Sequence, residues 1–134
     1  MLIGDQEQIE KLSKRLEIFD SLNDVIETYS HGMKQKLALV SALMHKPKLL
    51  LLDEPFVGLD PMCAHEVKEI MREMAQNGAT IFYSTHVLEV AEKICSSVAI
   101  IKQGKLIAFD TMDNIKGSQS LESIYLELEN EKHS

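Results

Sequence analysis

Tryptophan is absent from this 134-residue chain, and aromatic residues make up only 5% of it. Cysteine occurs twice, at Cys63 and Cys95, with no CxxC pair and no metal-ligand spacing. That excludes a disulfide scaffold and a zinc module, and it fits a reduced, cytoplasmic setting. The six glycines and three prolines stand singly, which excludes collagen-like and low-complexity classes. The aliphatic run Leu49–Leu52 is far below the ~20 apolar residues that cross a bilayer. The opening Met-Leu-Ile-Gly-Asp-Gln-Glu-Gln turns polar and acidic at once, unlike a signal peptide. Positive charge is scarce: 14 Lys and Arg stand against 21 Asp and Glu, a net charge of -7. Such a surface repels phosphate backbones and disfavours nucleic acid as a partner.

What is present is ordinary for a globular protein: 45% hydrophobic and 26% charged residues, in a length suited to one domain. Ile9, Leu12, Leu16 and Phe19 predict a helix over 6–19. A second helix is expected to begin at Ser30, with Met33, Leu37, Val40 and Met44 as its apolar stripe and Pro47 as its stop. Lys48–Leu52 and Ala79–Tyr83 read as strands buried on both faces. Between them, Asp60-Pro61 is an N-cap with proline at the first helical position. Val67, Ile70, Met71 and Met74 carry that helix to a stop at Asn77-Gly78. A helix over Val87–Ile94 is followed by strands Val98–Lys102 and Lys105–Phe109, joined tightly at Gln103-Gly104. A last helix is expected over Leu121–Glu129. The alternation predicts an α/β fold whose sheet is parallel at its centre.

Ligands of open parallel sheets gather at the carboxyl ends of strands. There stand Asp53-Glu54 after the first buried run and Ser84-Thr85-His86 after the second. Neighbouring carboxylates at a strand end are costly without a cation or a task. Asp53 can hold Mg²⁺ through its water shell and Glu54 can accept a proton from an attacking water; the plain alternative is a solvated loop. Ser30, with the first N–H groups of its helix, forms an anion site or simply an N-cap. Gly32 leaves no Cβ between a phosphate and the backbone. His86 is either a satisfied core histidine or a catalytic group. The methionines sit at core spacing, and neither cysteine has a basic neighbour that would activate it.

Leu49-Leu-Leu-Leu-Asp53-Glu54-Pro55 resembles the Walker B strand of ATP-binding cassette (ABC) ATPases. Tyr29-Ser30-His31-Gly32-Met33-Lys34-Gln35 is similar to their signature motif, Val57-Gly58-Leu59-Asp60-Pro61 to their D-loop, and Ser84-Thr85-His86 to their switch-histidine segment. The four follow the family's order and spacing. His31 stands where many relatives have glycine. With the hairpin Gly104-Lys-Leu-Ile-Ala-Phe-Asp110, the pattern looks most like bacterial exporter cassettes of the ABC-2 type.

The resemblance implies a P-loop NTPase core, here partial: parallel strands with flanking helices and a C-terminal β-hairpin, in one ATP-binding domain over 1–134. Residues 6–46 would be its helical-subdomain part, 47–117 its catalytic core and 118–134 a C-terminal helix and tail. It implies Glu54 and His86 as catalytic residues, and Asp53, Ser30, Gly32 and Gln35 as nucleotide or Mg²⁺ contacts. It makes Gly58, Leu59 and Asp60 the D-loop, with Asp60 both cap and cross-dimer contact. ATP and Mg²⁺ are the implied ligands. The implied partners are a second ATP-binding subunit in a head-to-tail dimer and a membrane-spanning permease that holds the subunit at the cytoplasmic face of the membrane.

One motif is missing. The run GxxxxGK followed by Ser or Thr, whose N–H groups and lysine cradle phosphates, does not occur. Only Gly104 precedes a lysine, and neither Ala99 nor Leu106 fits the run. The resemblance places the absent Walker A strand between the strand ending at Tyr83 and that at Val98–Lys102. The chain is therefore expected to be a truncated cassette, inactive alone, and either poorly stable or rearranged to close the slot, or else a non-catalytic module that completes a full-length partner's ATP site.

Overall fold

The computed structural model describes residues 3–131. The chain divides into two compact units, Met1–Ser84 and Thr85–Ser134.

In the first unit, helix α1 (Ile3–Arg15) buries Leu12, and Leu16 is buried just beyond its end. It ends short of the predicted Phe19, which is exposed in a short 3₁₀ turn, Phe19–Ser21. Glu17 adopts a left-handed φ of 55°, and the N–H groups of Glu17 and Ile18 turn back to the carbonyls of Lys14 (3.2 Å) and Ser13 (2.9 Å). That is a Schellman stop built without glycine. A second 3₁₀ turn, Ile26–Thr28, leads to α2 (His31–Leu43), which Ser30 caps as expected by accepting from Met33 N at 3.2 Å. The buried face of α2 is Leu39, Val40 and Leu43, with Met33, Leu37 and Met44 only half-buried. The apolar seam is thus rotated from the predicted stripe.

Strands β1 (Leu49–Asp53) and β2 (Thr80–Ser84) pair in parallel, Leu50 opposite Ile81 and Asp53 opposite Ser84. Between them runs α3 (Pro61–Gln76), opened by Asp60, whose Oδ1 accepts from Cys63 N at 2.9 Å. Its stop is also a Schellman motif, Gly78 N to Ala75 O and Ala79 N to Met74 O. Val67, Ile70, Met71 and Cys63 form its buried face. Arg15 ties α1 to α3 with a fork onto Glu73 (2.8 and 3.1 Å) and a bond to Glu66 (3.0 Å).

The expectation that both strands are buried on two faces does not hold. Leu50 is 5% exposed, whereas Leu49, Leu51 and Phe82 are 58%, 67% and 63% exposed. Successive strand side chains face opposite ways, so α3 covers one face and the other is open among the described residues.

In the second unit, α4 (Leu88–Ile94) precedes an antiparallel hairpin of β3 (Ser97–Lys102) and β4 (Lys105–Thr111). Gln103 and Gly104 both take positive φ, 50° and 74°, the two-residue turn whose twist suits a hairpin. A register shift falls between Ile100 and Ile101. Helix α5 (Met112–Lys116), capped by Thr111, was not expected from the sequence; α6 (Leu121–Asn130), capped by Ser120, was. Ala91, Ile100, Met112 and Leu121 form this unit's core, with Tyr125 and Leu128 against it. The two strand pairs are separate two-stranded sheets.

Candidate functional site

The carboxyl ends of β1 and β2 coincide, because their register places Asp53 opposite Ser84. The Ser84 hydroxyl donates to Asp53 Oδ1. Glu54 follows at once and leaves the strand with φ 45°, a region a non-glycine side chain enters at a cost. Its N–H donates to Ser84 O at 2.9 Å, and its own carbonyl accepts from Val57 N at 3.3 Å. The strand therefore ends in a tight reversal, held to its neighbour by a side-chain bond and a main-chain bond. Pro55 is buried inside it. The Phe56 and Tyr83 rings meet edge to face, 5.8 Å apart. Asp53 is exposed and Glu54 half-buried. An exposed carboxylate braced by a hydroxyl is an oxygen donor set of the kind a hard divalent cation takes.

The N-terminal turn of α2 lies against the segment between β1 and α3. A Cβ on Gly32 would stand 2.7 Å from the Gly58 carbonyl oxygen, closer than such atoms approach. The sequence suggests that Gly32 is bare so that phosphate can reach the backbone; the atom that uses the space here is Gly58 O. Gly58 itself has φ +81°, and a Cβ on it would lie 3.0 Å from Cδ2 of His31. Lys36, mostly buried, reaches Asp60 at 3.7 Å. The Cys63 N–H bond, with Lys36 nearby, holds the Asp60 carboxyl below its ordinary value. Gln35 turns its side-chain amide onto the carbonyls of Pro55 (3.1 Å) and Glu54 (3.5 Å). Leu59 N donates to Phe56 O at 3.3 Å, completing the turn.

Thus Ser30, His31, Gly32 and Gln35 on α2, Asp53 and Glu54 after β1, and Gly58, Leu59 and Asp60 before α3 all belong to the first unit. The histidine segment opens the second unit, where Thr85 Oγ1 accepts from Val87 N at 3.0 Å and His86 is exposed just before α4. Sequence reasoning missed the intrachain partners: Ser84 for Asp53, Lys36 for Asp60, and Gly58 for both His31 and Gly32. Only Ser84, in register with Asp53 on two strands of equal length, carried a usable signal.

Comparison with known proteins bears on the family and the fold. Residues 4–57 match the family model described as ABC transporter. The linearmycin resistance ATP-binding protein LnrL of Bacillus subtilis is 41% identical over 92 residues, 69% of this chain and 30% of that protein. A fluoroquinolones export ATP-binding protein of Mycobacterium tuberculosis is 34% identical over 108 residues, 81% of this chain and 36% of its own length. A solved ATP-binding subunit of an ABC transporter superposes with a TM-score of 0.90 and 34% identity, over 96% of this chain and 55% of that one. A second ATP-binding cassette, in its ADP conformation and 22% identical, shares the fold with a TM-score of 0.66. The chain spans about a third of the length of the curated relatives it matches. Its fold is the P-loop NTPase fold of ABC ATPases in part, with a parallel and an antiparallel sheet, and the chain belongs to the family of ABC transporter ATP-binding proteins.

Proposed function

We propose that this chain carries the signature, Walker B, D-loop and switch-histidine portion of the ATP-binding subunit of a bacterial exporter. The observation that carries the reading is the strand-end reversal, which sets Asp53 on the Ser84 hydroxyl and Glu54 immediately beyond it. In this reading Asp53, with the Ser84 hydroxyl beside it, would hold Mg²⁺ through water, and a bound ion would supply neutralisation of charge on the phosphates. Glu54 accepts the proton of the attacking water, and His86 orients that water against the terminal phosphate. Ser30, Gly32 and Gln35 close over a nucleotide held by a second subunit, with Gly58, Leu59 and Asp60 meeting that subunit. Residues 6–46 dock a membrane-spanning permease, which keeps the subunit at the cytoplasmic face of the membrane.

No GxxxxGK run exists in these 134 residues, so hydrolysis requires that another polypeptide segment supply the phosphate cradle. Titration of the purified chain with a fluorescent ATP analogue and Mg²⁺ is expected to show no saturable binding. Tight Mg²⁺-dependent binding would overturn this reading. A second reading, that the chain completes the ATP site of a full-length partner without catalysing, draws on the locked packing of Gly32 against Gly58. Co-elution with an intact ABC ATP-binding subunit, with hydrolysis unaffected by Glu54→Gln in this chain, would favour it.

A further inference from the structure

Glu54 keeps a left-handed φ of 45° although it has a side chain, and such a conformation persists only where its surroundings over-determine it. One restraint is local to the sheet: Glu54 N donates to Ser84 O. Another comes from α2. Gln35 Nε2 donates at 3.1 Å to Pro55 O and at 3.5 Å to Glu54 O, from 20 and 19 residues away. Glu54 is thus gripped on its amide side by β2 and on its carbonyl side by Gln35. The direction of its Cα–Cβ bond, and so the reach of its carboxylate, follows from that backbone.

We infer that Gln35 is a positioning residue for Glu54, holding the reversal after β1 through the main chain. This role within the chain is additional to the nucleotide contact proposed above for Gln35. Its bearing on hydrolysis rests on the role proposed above for Glu54; the grip itself does not.

The test uses the full chain and amide hydrogen exchange followed by NMR. Gln35→Met keeps length and helix propensity but removes the donors. The amides of Glu54 and Val57 are then expected to exchange about ten-fold faster, the loss of roughly one hydrogen bond. Those of Leu39 and Val40 should stay within about two-fold, since α2 is otherwise intact. The ¹³Cδ resonance of Glu54 should shift, and Gln35→Lys, which restores N–H donors at similar reach, should return it toward the parent position. Unchanged exchange at Glu54 and Val57, acceleration spread evenly along α2, or no recovery with lysine would each overturn the inference. ATP hydrolysis is not read, so a negative result here is distinct from a failure of Glu54 as the base.

Discussion

At Gly32, a missing Cβ matters more than anything the residue contributes. The Gly58 carbonyl oxygen fills that space, and as a backbone atom it does not swing aside as the tip of a side chain does. Gly32→Ala is expected to destabilise the first unit by about 1–3 kcal/mol, the usual cost of forcing an extra carbon into a packed contact. Urea unfolding followed by circular dichroism would measure it; a loss below about 0.5 kcal/mol would mean that the α2 turn moves aside freely. The candidate site residues were all legible as a motif string, but the contacts between them were not. Gln35, Lys36 and His31 each face a partner some 20 or more positions along the chain, and no local pattern encodes such a pairing. Asp60 is the exception: its cap bond spans three residues, so sequence spacing alone sufficed.

Among the elements, helix starts were easier to read than helix stops. Ser30 and Asp60 cap where short polar side chains precede apolar periodicity. The stop after α1 was missed because glutamate, not glycine, holds the left-handed position. The faces of β1 and β2 were misjudged for another reason. A continuous apolar run states that both faces are apolar, not that both are covered. In the second unit, Glu92 links three helices: it accepts from Lys116 of α5 and from Leu121 N of α6 at 3.0 Å. The Lys116 bond, then the Leu121 amide, lower the Glu92 carboxyl below its ordinary value. A lowered carboxylate contributes stability that is present above its unfolded value and is lost as pH falls through the folded one. Glu92→Gln is therefore expected to flatten the acid dependence of amide protection in α6, leaving that of α3 unchanged. Equal acid sensitivity of α6 in variant and parent would contradict this.

At the scale of the whole molecule, strand pairing among the described residues is confined to two sheets of two strands each, and isolated two-stranded ribbons are only marginally stable in water. Each unit leans on its helices instead: α1 and α3 through Arg15 in the first, α4 and α6 around Leu121 in the second. The overall fold class was legible because four motifs and a hairpin turn fix the succession of the strands along the chain. The two cysteines fall one in each unit, Cys63 buried on α3 and Cys95 half-buried after α4. Burial pushes the Cys63 thiol up, so it carries little of the thiolate that alkylating reagents attack. Its position gives the chain a chemical clock. Pulse alkylation at neutral pH should modify Cys95 first and Cys63 only at the rate at which the first unit opens. The Cys63 rate, set against that of Cys95 in the same pulse, would then time the opening of the first unit, with no probe added.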